Sequence, residues 1–198
     1  MEPVKDLSGN GNNGTNNGAV PTLGKRGQAL SFNGTSQYAN MGNATSVQLS
    51  LDGSVSAWVK TTGSGSYKCI VAKQGNYGFF NNDGIFGIYD WGALAFRSSG
   101  VTINDGEWHF VTMTFQDGVS NGTVLYVDGV EKLITTMTIS SQSNNLLVGY
   151  GNATGQYLNG SIDEVRVYNR VLSAAEVGQL YQTGTMKIVP GLGTAKIK

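Results

Sequence analysis

The chain is poor in the residues that carry most covalent and metal chemistry, with one cysteine and one histidine in 198 positions. Cys69 has no internal disulfide partner. Within the strand-like run Tyr67-Lys68-Cys69-Ile70-Val71-Ala72 it reads as a small buried hydrophobe, not a nucleophile. A domain of this length can build an adequate core without disulfides, so the scarcity of cysteine does not exclude secretion. Charge is also scarce. Asp, Glu, Lys and Arg make up 13% of the chain, and 13 basic residues balance 13 acidic ones. That balance argues against a nucleic-acid footprint, which needs a basic surplus on one face, and against a long charged disordered region. No stretch approaches the run of about 18 apolar residues that membrane insertion requires. The first residues lack the charged-then-apolar pattern of a secretory signal. Met1 followed directly by domain-like sequence is what a module taken from a longer protein would show.

What the chain has instead is 39% hydrophobic residues and 29 glycines. Solubility must come from Asn, Ser, Thr and glycine-rich turns. Residues 6–18, Asp-Leu-Ser-Gly-Asn-Gly-Asn-Asn-Gly-Thr-Asn-Asn-Gly, favour turns over helix or strand and read as an opening loop. Asp6, Ser8, Asn10 and Asn12 alternate like the first half of an EF-hand-type calcium loop. The twelfth position is Asn17, not a bidentate Glu, and no helices flank the loop, so a calcium site here needs a distant carboxylate to complete it.

Beyond the loop, short alternating runs are separated by turn signals. Residues 28–32 and 37–41 read as strands around Asn33-Gly34. In 54–60, Val55, Ala57 and Val59 share one face while Trp58 lies on the other, which requires cover on both faces, as in a sandwich. Trp58 reads as core. Between 67 and 97 short strands alternate with turns, among them Asn81-Asn82-Asp83-Gly84. Tyr89-Asp90-Trp91-Gly92 sets an aromatic beside a carboxylate at a loop tip, which is what a sugar-stacking site uses; the alternative is Trp91 folded over the core. In 109–116, Phe110, Thr112, Thr114 and Gln116 face one way and Val111, Met113 and Phe115 the other. Asp128-Gly129 turns the next strand into 130–134. The closing strand carries Asp163 among Ile162, Val165 and Val167. Ser173 and Glu176 then form a capping box for a helix with Ala174, Val177, Leu180 and Tyr181 on its apolar face and Gly184 as its stop. The pattern predicts an all-β fold, a two-sheet antiparallel sandwich with one short C-terminal helix, over residues 1–185. Residues 186–198 read as a linker or tail.

These motifs, in this order, resemble LamG-like (laminin G-like, concanavalin A-like) jelly-roll domains. The resemblance rests on the opening Asp6-Leu-Ser-Gly-Asn-Gly-Asn-Asn-Gly, on 27–34 (GQALSFNG), 54–60 (SVSAWVK), 106–112 (GEWHFVT) and 125–129 (LYVDG), and on 160–173 (GSIDEVRVYNRVLS). It implies a jelly roll used as a non-enzymatic module of a larger extracellular, cell-surface or phage-exposed protein, binding glycans or proteins. It also implies a structural calcium ion tying the N-terminal loop to the closing strand. By position, Asp6 and Asp163 would be its carboxylate ligands, with Asn10, Asn12 and Asn33 offering further oxygens; Asn33 stands where members often have Asp.

Asp163 has three readings: exposed, capping N–H groups of the opening loop, or binding calcium. An unpaired charge in an apolar strand is expensive to bury. Glucanases of the same broad fold need carboxylates at alternate positions on one strand. No such run exists here, Asp163 and Glu164 are expected to point to opposite faces, and His109 has no Ser or Cys context. Asn-x-Ser/Thr sequons at Asn13, Asn33, Asn43, Asn121, Asn152 and Asn159 follow from composition. The expected function is binding without catalysis. Trp91, Tyr89 and Tyr67 are the expected stacking aromatics, with Asp90, Asp83 and Asn82 as polar partners. The partner is a glycan or, alternatively, a surface protein; a third reading is a spacer with no ligand.

Overall fold

The computed structural model describes residues 3–140 and 142–185; the tail expected over 186–198 lies outside them. Among the described residues fourteen strands form two antiparallel seven-stranded sheets. In chain order they are β1 (Thr15–Asn17), β2 (Val20–Leu23), β3 (Gln28–Asn33), β4 (Tyr38–Asn40), β5 (Asp52–Thr61), β6 (Lys68–Lys73), β7 (Tyr77–Asn82), β8 (Ile85–Asp90), β9 (Ala95–Thr102), β10 (Trp108–Gln116), β11 (Thr123–Val127), β12 (Val130–Thr135), β13 (Leu146–Val148) and β14 (Asn159–Tyr168). Helix α1 (Ala174–Thr185) follows. The first sheet has the order β1-β4-β13-β6-β7-β8-β9, the second β12-β11-β10-β5-β14-β3-β2.

The period-2 pattern assigns each side chain to its layer. Val55, Ala57 and Val59 of β5 and Val111, Met113 and Phe115 of β10 point between the sheets, where they meet Ile70, Phe79, Phe86 and Ile88. Each of these Val, Ile, Met and Phe side chains contributes roughly 1.5–3 kcal/mol on burial, Ala57 less. The other face of the second sheet is covered as well. Trp58 and Phe110, paired in register, pack with Tyr126 against Leu172, Val177 and Tyr181. The Trp58 and Tyr181 rings stack at 5.6 Å. The capping box forms: the Ser173 N–H donates to Glu176 Oε2 (2.8 Å) and the Glu176 N–H to Ser173 Oγ (3.3 Å). The Arg170 guanidinium, with these Ser173 bonds, holds Glu176 down to about 2.

Local details differ from the sequence reading. Gly184 lies inside α1, not at its stop; a Cβ there would meet Trp58 Nε1 at 2.5 Å, so glycine is what lets the indole approach the helix. Asn33-Gly34 does not join paired strands but carries the chain from β3 in the second sheet to β4 in the first. Asn33 Oδ1 accepts the N–H groups of Thr35, Ser36 and Gln37, which wraps a loop in place of a hairpin. A bulge between Asp163 and Arg166 puts Glu164 at φ 48°, and Glu164 lines the same recess as Trp58 and Arg166. The two acids are therefore not dealt to opposite faces as in a regular strand.

His109 is a brace. Its Nδ1 meets Asp128 Oδ2 at 2.9 Å, its Nε2 meets Asp105 Oδ1 at 3.2 Å, and Asp128 Oδ1 accepts the Phe110 N–H at 2.8 Å. The hydrogen bond that His109 donates to Asp128 outweighs burial and holds the imidazolium above its ordinary value. A folded-state value above the unfolded one, near 6.5, gives stability that is present below about pH 6.5 and lost as pH rises through the folded value. Urea midpoints should therefore fall across that window, and His109→Gln should flatten the slope. Trp58→Ala should cost about 3–5 kcal/mol in the same measurement by undocking α1.

Candidate functional site

Helix α1 covers Trp58 and Phe110 on the outer face of the second sheet, and the outer face of the first carries a groove. On β4, Ala39 enters the core, so Tyr38 and Asn40 point outward. On β13, Leu146 and Val148 enter the core and Leu147 points outward, beside Asn40 in register. Gly149 (φ 81°) follows; a Cβ there would strike the Phe32 ring at 2.7 Å. The chain then presents Tyr150, stacked on Tyr157 at 4.2 Å and 8° and lying 5.3 Å from Tyr38. The result is a groove of about 300 Å³ lined by Tyr38, Asn40, Ser143, Asn144, Asn145, Leu147, Tyr150 and Asn152.

None of these side chains is charged. Asn40 Oδ1 accepts the Gly42 N–H (2.9 Å), Asn144 Nδ2 donates to the Gln74 carbonyl (2.9 Å), and Asn152 Nδ2 donates to Gln74 Oε1 (2.9 Å). Among the described residues this leaves Asn40 Nδ2, Asn144 Oδ1 and Asn152 Oδ1 without protein partners, one donor and two acceptors for a ligand. Burial, then the Tyr157 hydroxyl, pushes Tyr150 above the ordinary phenol value, so it stays neutral.

The aromatics singled out from sequence form a separate cluster on the same outer face, over buried Cys69, Ala72 and Phe80. Tyr67 meets Tyr89 at 5.6 Å and 84°, Tyr89 meets Trp91 at 5.4 Å and 66°, and Trp91 meets Phe80 at 6.2 Å. The three expected residues are thus neighbours, but their rings pack edge to face on one another. Asp90 is buried and committed: Oδ1 accepts the N–H groups of Gly92 and Ala93 (3.1 Å each) and Oδ2 accepts Arg97 Nη2 (3.1 Å). Asn82 Oδ1 accepts the Tyr67 N–H (3.0 Å), which holds Tyr67 at φ 53°. Asp83 is exposed in the turn at φ 50°.

The five residues named for calcium lie in three places: Asp6, Asn10 and Asn12 in the opening loop, Asn33 at the end of β3 and Asp163 in β14. In the opening loop, Asp6 Oδ1 and Oδ2 accept the N–H groups of Ser8 and Asn12 (2.8 Å each). The Ser8 hydroxyl, then these N–H groups, hold Asp6 below the usual carboxylate value. Asn10 bonds to Ser8 Oγ, and Asn12 Oδ1 accepts the Ser46 hydroxyl. Asn33 caps its own loop. Asp163 pairs with Trp58 in register, on the outer side of the second sheet, whereas Gly14 leads the opening loop into β1 at the edge of the first. Its Oδ2 accepts the Arg26 N–H (2.8 Å) and its Oδ1 that of Glu164 (2.8 Å). Asp163 is therefore a cap, but for the 24–27 turn and not for the opening loop. These oxygens lie in three places, and those of Asp6, Asn33 and Asp163 are bonded to backbone donors, so they do not gather into one calcium centre; among the described residues no group of three or more His, Cys, Asp or Glu could hold a metal.

Burial, partly offset by the Arg26 N–H, raises the Asp163 carboxyl above its ordinary value. Asp163→Ala orphans two N–H groups and should cost about 1–3 kcal/mol. The loss in thermal denaturation should be the same in calcium and in EDTA; a loss confined to calcium would restore the shared-ion arrangement.

A model of the concanavalin A-like lectin/glucanases superfamily matches residues 33–178. No curated protein matches the chain. Among solved structures the fold is similar to domain 4 of AbnA, a GH43 extracellular arabinanase from Geobacillus stearothermophilus, in complex with arabinotriose. The identity is 23% over 90% of this chain and 93% of that one, with a TM-score of 0.72. It is also similar to the binding domain of Paraclostridial Mosquitocidal Protein 1 (17% identity, 90% of this chain and 49% of that one, TM-score 0.73). Trypanosoma rangeli sialidase in complex with sialic acid matches at 16% identity over 88% of this chain and 30% of the enzyme, with a TM-score of 0.67. The chain thus spans about half the length of the mosquitocidal binding domain. At these identities the likeness is one of fold. By its family match and its two-sheet architecture, the chain belongs to the concanavalin A-like lectin/glucanases superfamily.

Proposed function

We propose that the chain is a non-catalytic carbohydrate-binding module whose ligand lies in the groove lined by Tyr38, Leu147 and Tyr150. The observation that carries this reading is the groove's composition: one aromatic wall made by Tyr38 and Tyr150 in contact, an apolar floor at Leu147, and unpartnered amide atoms with no charged side chain. A sugar ring offers an apolar C–H face for an aromatic and hydroxyls that both donate and accept, which suits asparagine. The groove's size falls at the lower end of small-ligand sites. Likeness in fold to a domain solved with arabinotriose supports a saccharide as the ligand class. Glycoside hydrolysis would call for two carboxyl groups flanking the bond, and no lining residue supplies one. Tyr67, Tyr89 and Trp91 enter this reading as a second, weaker contact. The module would act extracellularly or at a cell surface within a larger protein, in keeping with the extracellular arabinanase.

One feature favours a protein partner as the second reading. Leu94 is 75% exposed at φ 52°, beside Trp91, forming an apolar tip. A glycan array separates the two. The carbohydrate reading expects enrichment of a saccharide class, with Tyr150→Ala lowering affinity at least about tenfold (about 1.4 kcal/mol) and Trp91→Ala lowering it less. No enrichment, together with cell or protein binding that Leu94→Asp abolishes, would replace it with the second reading.

A further inference from the structure

Lys73 is fully buried at the end of β6, and no carboxylate pairs with it among the described residues. Its strand neighbours in register are Leu146 and Tyr77. Tyr77 spends its hydroxyl on the Val47 carbonyl, and burial keeps it neutral. A lone ammonium in such surroundings is costly, and a methionine or leucine would pack there at less expense. What an apolar residue cannot do is donate. Lys73 Nζ donates to Asn43 Oδ1 at 2.5 Å, in the loop after β4, and to the Asn144 carbonyl, in the segment before β13. The next residue continues the network: the Gln74 carbonyl accepts Asn144 Nδ2 and Gln74 Oε1 accepts Asn152 Nδ2.

We propose that Lys73 and Gln74, neither of which lines the groove, are the positioning residues that hold its asparagine wall in the ligand-ready arrangement. Asn144 is fixed at its carbonyl by one and at its amide by the other, so its Oδ1 is left for a ligand. Asn152 is oriented the same way from the opposite side of Gln74. The segments that carry these asparagines are irregular, with no strand ladder to set them. A wall fixed before binding does not lose the ordering entropy that a floppy one would, which raises affinity without adding a contact. The burial that pushes the Lys73 amine below its ordinary value is the cost of that arrangement. The functional half of the proposal rests on the groove reading above; the structural half does not.

The test uses the ligand-free protein first. Side-chain amide NMR signals should move for Asn43 and Asn144 in Lys73→Met and for Asn152 in Gln74→Ala, with signals from the β5–β10 core unchanged. Lys73→Met relieves a buried ammonium but leaves Asn43 Oδ1 and the Asn144 carbonyl without their donor, opposing effects that should leave its melting temperature close to that of the wild type. Binding is then measured with a panel of neutral linear tri- to pentasaccharides: each variant should lose about tenfold or more, at unchanged stability, for whichever member the wild type binds. Groove signals that stay in place in both variants overturn the proposal, as does wild-type affinity in variants whose signals have moved. Gln74 is only half-buried, so its variant decides the matter if Lys73→Met fails to fold. A wild type that binds no member counts against the groove reading alone, because the amide signals still report on positioning.

Discussion

The structure depends on a strand that is buried on both sides. β5 sends Val55, Ala57 and Val59 between the sheets and Trp58 outward, and neither face can be left in water. Helix α1 exists to solve the second problem: Val177, Leu180 and Tyr181 close over Trp58 and Phe110, and Gly184 is small enough to let the indole reach the helix backbone. Covering that face has a consequence for function. Helix α1 covers the centre of the second sheet's outer face, so the groove on the first sheet is the surface the proposed ligand would use.

The first sheet meets that need without charge. A chain with so few ionic groups keeps its loops in place through amides and hydroxyls. Asn33 wraps its own turn, Asn82 holds Tyr67, and Gln74 joins Asn144 to Asn152. The carboxylates are used the same way. Asp90 closes the turn before β9, Asp128 ties His109 to the β10 backbone, and Asp163 caps the 24–27 turn. These acids are bonded to backbone donors, whereas the groove asparagines retain atoms for a partner. A neutral, hydroxyl-rich ligand matches that division of labour.

How much could be read from the sequence differs from element to element. The faces of β5 and β10 follow from period-2 alternation, because a pleat admits no other assignment once one face is apolar. The Ser173–Glu176 box is likewise local, since four consecutive residues contain both partners. The alternation in 37–41 already sets Tyr38 and Asn40 on one face. Nothing local joins them to Tyr150 and Asn152, which reach the same groove through β4 pairing with β13 and the glycine at 149. Trp91 stands beside a carboxylate in a turn, the pattern of a sugar-stacking site, yet its ring is engaged by Tyr89 and Phe80.

The sequence by itself determined the class of fold, the inner and outer faces of β5 and β10 and the capped terminal helix, because those depend on neighbours a few positions apart. Only the tertiary structure decided which sheet stays open, which asparagines share a groove, and that Asp163 serves the turn at 24–27 instead of the opening loop. Those outcomes hang on strand order and on one bulge. Strand order is set by which apolar faces can bury one another across the whole chain, and a single inserted residue in β14 re-aims the side chains that follow it.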